Sequence, residues 1–365
     1  MRILIAGGGT GGHLFPAIAL AEAFIKKDPA NQIQFVVTQR ALDSQILRGR
    51  GFSFQTLKVE GIKGKGMAGK IHAMFQLPRS FGLSLKMIAG YRPELVLGVG
   101  GYVSGPLVLA ARWKGFPCAI QEQNSIPGIT NRILGKVVNR VFCAFKESES
   151  YFPTKKVRLT GNPIRKELQR VSRREVPSSG PLSLLILGGS QGAHRINQAA
   201  VEALDGLAPL KNELFIIHQT GEKDEQEVAL TYQGKGFKHL VRAFISDMVW
   251  AYEQADVIIS RAGAMTLTEI TALGKPSLLI PFPFSANNHQ EHNARTLVQA
   301  GAAEMILEKD LSSEFLADRI RDWLADRERL TRMGNQAGQL GRWQAAEEIV
   351  NLCYQMISRQ EKGLN

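Results

Sequence analysis

Cysteine is scarce: Cys118, Cys143 and Cys353 are the three in 365 residues, and no pair has Cys-x-x-Cys spacing. That excludes a disulfide framework and a cysteine zinc site, and fits a reducing, cytosolic setting. A leader pattern is missing as well. Met1-Arg2-Ile3-Leu4-Ile5-Ala6 runs straight into glycines, without the apolar stretch and small-residue cleavage site of a signal peptide, so secretion is not expected. Long apolar runs are also absent. The longest uncharged segment, Leu95 to Ala111, is broken by Gly98, Gly100, Gly101, Gly105 and Pro106. It falls short of the ~18 apolar residues a spanning helix needs.

What is present is ordinary globular composition, with 44% hydrophobic and 21% charged residues. At this length two separate cores are expected, because single cores rarely grow beyond ~250–300 residues. The charge is unevenly spread. Residues 1–162 carry 22 Lys/Arg against 8 Asp/Glu, while residues 163–365 carry 23 against 25, so the whole basic excess sits in the first half. Such asymmetry points to an anionic partner facing one domain. Nucleic acid is disfavoured, since the basic half lacks interleaved aromatics and any recognisable binding motif.

Apolar runs at Arg2–Ala6, Gln34–Thr38 and Leu95–Val99 read as buried strands, with an amphipathic stretch Pro16–Lys27 between the first two. This βαβ pattern predicts a doubly wound parallel sheet. The pattern restarts at Leu182–Leu187 after a Pro/Ser-rich segment, and strand-like runs follow at Glu213–His218, Asp256–Ser260 and Ser277–Pro281. We expect an N-terminal domain over 1–162, a link near Gly161-Asn162-Pro163, and a second domain over 163–341. The pattern from Leu340 to Gln360 is helical and fits either domain.

Gly7-Gly8-Gly9-Thr10-Gly11-Gly12-His13 lies directly between a strand and a helix. Gly7, Gly9 and Gly12 satisfy G-x-G-x-x-G, the turn that turns backbone N–H groups and a helix N-terminus toward phosphate. A nicotinamide site also wants an acid at the end of the second strand; here that strand ends Thr38-Gln39-Arg40. NAD is therefore disfavoured, and Arg40 keeps an NADP oxidoreductase only as a minor alternative. His13 stands at the positive end of the helix dipole, which disfavours imidazolium and suits a general base. Local capping is its bland alternative. A second cluster, Gly98-Val99-Gly100-Gly101-Tyr102-Val103-Ser104-Gly105-Pro106, and the polar run Gln121-Glu122-Gln123-Asn124-Ser125 both follow strands, so they belong at the same carboxyl edge. Polar amides there can hydrogen-bond sugar hydroxyls, although the run standing alone reads as ordinary loop polarity.

In the second half Gly188-Gly189-Ser190-Gln191-Gly192 repeats the phosphate-facing turn. Arg261-Ala262-Gly263-Ala264-Met265-Thr266-Leu267-Thr268-Glu269 places an acid in the early turns of a helix. A carboxylate there can bridge both ribose hydroxyls, although Thr266 and Glu269 also have the spacing of a capping pair. The loop Pro281 to Ala294 is rich in donors suited to a sugar. Two phosphate-facing turns in opposing domains imply a bound nucleotide.

Together these motifs, with Gly161-Asn162-Pro163-Ile164-Arg165, resemble across nearly the whole chain the family of N-acetylglucosaminyltransferases of peptidoglycan synthesis, the MurG family. Its members move N-acetylglucosamine from UDP-N-acetylglucosamine to lipid I, giving lipid II. The resemblance implies a GT-B glycosyltransferase of α/β class, with two Rossmann-like doubly wound domains facing a cleft. The UDP-sugar donor would bind in the C-terminal domain, and a last helix, about 342–365, would return to the N-terminal one. Carried over by motif position, Arg165, Ser190 and Thr266 would meet the diphosphate, and Ala264, Met265, Leu267 and Thr268 beside Thr266 would also bind the donor. Ile245 would meet the uracil, Glu269 the ribose, and Gln290 with Asn124 the sugar. Thr10, Gly11 and Gly12 would line the junction with the acceptor, with His13 as base and Glu122 able to share or take over that role. The chain departs from the family pattern at Gln121, where relatives can carry histidine, and at His289, where they can carry a second glutamine.

The implied reaction is an inverting transfer in which UDP leaves. Sugar transferases stabilise that leaving group with a divalent metal on an Asp-x-Asp pair or with protein charges and helix N-termini, and no Asp-x-Asp occurs here. No cofactor and no obligatory metal are therefore expected. Lipid I demands access to the cytoplasmic face of the bacterial membrane. Lys63–Arg92 offers Lys65 and Lys70 among Ile71, Met74, Phe75 and Phe81 for peripheral contact with its anionic surface. Other cell-wall enzymes are conceivable partners. A UDP-N-acetylglucosamine epimerase or a glycolipid synthase of the same fold is the nearest alternative.

Overall fold

The computed structural model describes residues 1–59, 67–171, 175–189 and 192–361, with the backbone alone at 67–77 and 359–361. The chain forms two compact units: Met1–Arg165 with the chain from Trp343 on, and Lys166–Arg342.

The first unit holds a seven-stranded sheet ordered β3-β2-β1-β4-β5-β6-β7. Its strands are β1 (Arg2–Ala6), β2 (Gln32–Val37), β3 (Ser53–Thr56), β4 (Leu95–Gly98), β5 (Cys118–Glu122), β6 (Arg140–Cys143) and β7 (Val157–Leu159). Every pairing is parallel. Alternation along β1 sends Ile3 and Ile5 into one core layer with Leu20, Phe24 and Phe35, and Leu4 and Ala6 into the other with Ile88, Val96 and Leu107. Both faces are covered, which is why the central strands read as unbroken apolar runs.

Helix Ala345–Glu361 belongs to this first unit. Its Ile349, Val350, Cys353 and Met356 join the layer of Phe24, against helix Gly11–Lys27. Two polar contacts fix its register: Asn31 Nδ2 donates to the Tyr354 hydroxyl at 2.9 Å, and Lys26 pairs with Glu347 at 2.5 Å.

The second unit has six parallel strands ordered β10-β9-β8-β11-β12-β13. They are β8 (Leu182–Leu187), β9 (Leu214–Gln219), β10 (Lys238–Arg242), β11 (Val257–Ser260), β12 (Ser277–Leu279) and β13 (Glu304–Met305). In each unit the strand order reverses once, between β1 and β4 and between β8 and β11. A ligand crevice forms at the carboxyl ends beside such a reversal. Of the four glycine turns singled out in the sequence, those after β1, β4 and β8 carry glycines at positive φ (Gly8, Gly9, Gly100, Gly101, Gly189, Gly192). The fourth turn, after β11, leads through Gly263 directly into a helix.

Candidate active site

In the first unit the turns after β1 and β4 close on each other around His13. A Cβ at Gly100 would lie 2.5 Å from His13 Nδ1, and one at Gly101 would lie 2.7 Å from the Gly8 carbonyl oxygen. The imidazole therefore rests against bare backbone, which only glycine permits at these positive φ values. His13 is the third residue of helix Gly11–Lys27. The N-cap is Thr10, whose side chain makes no capping bond, and Thr10, Gly11 and Gly12 are exposed. The second turn is fastened by Ser104, whose hydroxyl donates to Gly100 O at 2.6 Å and to Ala6 O at 3.1 Å.

Residues not anticipated from sequence hold the first turn. Asp43, buried in the first turn of helix Ala41–Gly49, accepts from the Gly9 N–H at 2.6 Å and from the Thr38 hydroxyl at 3.1 Å. Arg40 donates to the Gly9 carbonyl at 3.0 Å, so the guanidinium set aside for a 2′-phosphate is a loop fastener. The sequence signal was an acid in the first turn of a short helix, a pattern that elsewhere marks only dipole compensation.

The run 121–125 is not loop polarity. Gln121, Glu122, Gln123 and Ser125 are buried, and the amides of Gln121 and Gln123 bond to each other and into the interior. Gln121 Nε2 donates to Asn162 Oδ1 at 2.6 Å, Asn162 Nδ2 donates to Gln123 O at 3.1 Å, and Gln123 Nε2 donates to Val99 O at 2.8 Å and to Gln121 Oε1. Asn162, expected in a linker, is thus part of the first unit's interior, and the unit runs on to Arg165. Glu122 is 2% exposed. One carboxylate oxygen accepts from Asn124 N and Nδ2 at 3.0 and 3.3 Å, the other from Asn131 Nδ2 at 2.8 Å. Burial raises its pKa above the usual carboxylate value, with those hydrogen bonds pulling the other way. Glu122 so fixes the backbone and amide of Asn124 at the carboxyl edge. Arg165 lies over the Phe15 ring at 5.1 Å.

In the second unit the turn after β8 lies against the end of β9. A Cβ at Gly192 would overlap the Thr220 carbonyl oxygen, so the chain can pass only as glycine. Gln219 joins that turn to the segment holding Ile245: its Nε2 donates to Gly189 O at 3.0 Å, and its Oε1 accepts from Ile245 N–H at 2.9 Å. Ile245 is buried, and the neighbouring Phe244 ring is exposed.

Helix Ala264–Leu273 starts at N-cap Gly263, which corrects the capping-pair reading: Thr266 is inside the first turn and caps nothing. The first bond back into the helix is Leu267 N–H to Gly263 O at 3.0 Å, so the N–H groups of Ala264, Met265 and Thr266 precede it at the positive dipole end. The Thr268 hydroxyl is used by Ala264 O at 2.8 Å. Glu269 is buried with one oxygen accepting from Tyr252 OH at 2.8 Å. Gln290, at the start of helix His289–Gln299, accepts from Phe282 N–H at 3.0 Å, while His289 Nδ1 lies 2.7 Å from Ala286 O.

Ser190 and Lys65 lie outside the described residues, as do the side chains of Lys70, Ile71, Met74 and Phe75 on helix Met67–Tyr91. Phe81 on that helix packs against Trp113 with ring centroids 6.1 Å apart; Trp113 is 67% exposed, with Lys114 Nζ 5.0 Å above it. Among the described residues no helix is long and apolar enough to cross a membrane.

With this geometry in hand, known proteins are informative. Residues 3–143 match the N-terminal domain of glycosyltransferase family 28, and residues 183–349 match its C-terminal domain. The chain is 48% identical over 360 residues to the UDP-N-acetylglucosamine--N-acetylmuramyl-(pentapeptide) pyrophosphoryl-undecaprenol N-acetylglucosamine transferase of Anaeromyxobacter sp. strain K, covering 99% of this chain and 94% of that protein. The equally named protein of Syntrophus aciditrophicus is 48% identical over 357 residues, covering 98% and 99%. A crystal structure of Acinetobacter baumannii MurG superposes with a TM-score of 0.79 at 29% identity, over 97% of this chain and all of that one. The chain belongs to the MurG branch of glycosyltransferase family 28. Its fold is GT-B. A Neisseria meningitidis UDP-GlcNAc 2-epimerase, at 15% identity and a TM-score of 0.67 over 97% of this chain, shares the fold alone with this MurG-branch chain.

Proposed function

We propose that this protein is the inverting hexosyltransferase that moves N-acetylglucosamine from UDP-N-acetylglucosamine to the 4-hydroxyl of the N-acetylmuramoyl group of lipid I, yielding lipid II and UDP. The observation that carries the mechanism is the seat of His13: an imidazole pressed between two glycine turns at the sheet's switch point, where reacting atoms can approach backbone closely. His13 takes the proton from the acceptor hydroxyl as the oxygen attacks the anomeric carbon. The bond to the UDP oxygen breaks on the opposite face, so one displacement inverts the centre. Glu122, with both oxygens engaged by Asn124 and Asn131, acts by positioning Asn124 toward the sugar and leaves the base role to His13.

In the second unit, which serves as the donor domain, the departing diphosphate meets the first-turn N–H groups of Ala264, Met265 and Thr266, with Ser190 adding to them. Such oriented donors stabilise developing charge without a metal. Glu269 accepts from the ribose hydroxyls, Ile245 and the exposed Phe244 enclose the uracil, and Gln290 addresses the sugar. The first unit carries the acceptor. Its basic excess, together with the exposed Trp113 and its Phe81 and Lys114 neighbours, supports peripheral attachment to the anionic cytoplasmic face of the membrane.

The test is UDP release from UDP-N-acetylglucosamine by the purified protein, with and without a lipid I analogue, in EDTA. Acceptor-dependent release in EDTA is expected. Release only after metal is restored would overturn the metal-free step. Binding of the donor without release in either condition would mean another UDP-sugar reaction.

A further inference from the structure

We propose that Gln219 is a positioning residue that sets the spacing between the diphosphate-facing turn and the base-facing segment of the donor site. This rests on the donor assignment to the second unit made above. Gln219 is the last residue of β9, immediately beside the switch-point strand β8, and its side chain is buried. Its amide makes two bonds of opposite polarity, giving a hydrogen to Gly189 O at 3.0 Å and taking one from Ile245 N at 2.9 Å. Its backbone carbonyl also accepts from Gly188 N–H at 3.3 Å. One residue thus ties both ends of a span that a nucleoside diphosphate must bridge.

The chemistry of that position is narrow. Gly189 presents an acceptor and Ile245 a donor, so the bridging group must carry both functions at its tip, as a carboxamide does. A carboxylate would keep the Ile245 bond and face the Gly189 carbonyl with a second acceptor. An apolar side chain would lose both bonds and leave two buried backbone groups unpaired. Neighbouring backbone cannot compensate, because Gly192 already lies against Thr220 O and the turn has no room to collapse. With the amide in place both walls are held before the ligand arrives, and the ligand does not bear the cost of ordering them.

The experiment compares UDP binding by wild type, Gln219→Met and Gln219→Glu at about pH 8 and about pH 5.5, by calorimetry on the full chain. At the higher pH both variants are expected to bind UDP at least about tenfold more weakly than wild type, tenfold being the size of the one buried hydrogen bond that Gln219→Glu loses, and Gln219→Met loses both. At the lower pH a buried glutamic acid takes up a proton and regains a donor beside its acceptor. Gln219→Glu then recovers to within about twofold of wild type while Gln219→Met stays weak. Equal affinities for all three proteins at the higher pH, or a Gln219→Glu that stays as weak as Gln219→Met at the lower one, would overturn the proposal. Should Gln219→Met fail to fold, the two pH values for Gln219→Glu carry the test. If wild type binds no UDP the donor assignment falls instead. The bridge is then read by amide exchange at Ile245, whose N–H loses its acceptor in Gln219→Met and keeps it in Gln219→Glu: exchange faster in Gln219→Met than in wild type is expected, and equal exchange would overturn the tie.

Discussion

The two units use one architecture for opposite tasks. Both place glycine-bearing turns at the reversal of a parallel sheet, yet the first fastens its turn with charge and the second with a neutral amide. Asp43 and Arg40 grip the N–H and carbonyl of Gly9, whereas Gln219 does the equivalent work for Gly189. A unit that receives a diphosphate gains by keeping carboxylates away from the phosphate-facing turn; one that removes a proton from a hydroxyl needs a firmly seated base instead. The expected division is that the first unit governs turnover and the second governs donor affinity.

The sharpest way to break that division is His13→Ala. Its kcat is expected to fall by about 10²–10⁴, the usual value of a positioned general base. Its Kd for UDP, by calorimetry, stays unchanged; a parallel loss of UDP binding would show that the units do not divide the work. Next in size is Gly100→Ala, whose Cβ would need to occupy a point 2.5 Å from His13 Nδ1. Moving a catalytic group by about an ångström costs about a hundredfold in rate, so kcat falls by that order with KM for the donor unaltered. In the second unit Glu269→Gln is expected to do the reverse, raising KM for UDP-N-acetylglucosamine about tenfold through one lost charged hydrogen bond to the ribose. Steady-state kinetics with a soluble acceptor analogue reads both.

The smallest effect separates the units by pH. His218 is wholly buried, with Nδ1 at 3.0 Å from Tyr232 OH and Nε2 at 3.0 Å from Asn197 Oδ1, and burial pushes its pKa down to about 3 from 6.5. The unfolded chain therefore binds a proton that the folded unit refuses, and the second unit loses stability as pH falls below 6.5. Glu122 has the opposite sign: burial raises its pKa, so its contribution to the first unit is fully present below 4.5 and is lost as pH rises through the raised value. Hydrogen exchange resolved by unit should show protection declining with acid around β9 and with alkali around β5. The same trend in both regions would remove these two groups as its cause.

The central strands were legible because burial on both faces writes continuous apolar runs, as in Arg2–Ala6 and Leu182–Leu187, each recovered to the residue. The missing strands include all four sheet edges, β3, β7, β10 and β13. Ser53-Phe54-Gln55-Thr56 and Lys238-His239-Leu240-Val241-Arg242 carry the polar and charged side chains that edge strands keep toward water, and these erase the run. The glycine turns, His13 and the helix bearing Glu269 were legible because backbone conformation and helix ends constrain residue type locally. Asp43, Asn131 and Gln219 were not, because each acts across 9 to 34 residues of chain on a backbone or side-chain atom that no local pattern marks. The run at 121–125 was seen, but its burial was not: sequence gives polarity, and only packing tells that Gln121 bonds to Gln123 and Asn162 in the interior.

The helix that ends the described chain also imposes an order of events during synthesis. Leu20 and Phe24 are covered by residues made about 325 positions later, after the whole of the second unit has emerged. A ribosome that has finished Arg165 has released a unit still short of one helix, with the apolar layer around Leu20 and Phe24 awaiting Ile349, Val350 and Cys353. Domains usually fold as units in order of synthesis, and exposed apolar surface invites association in the interval. Here the inserted unit can close first, so the acceptor half is completed last, and a nascent chain interrupted before Trp343 carries a finished donor module joined to an unsealed partner.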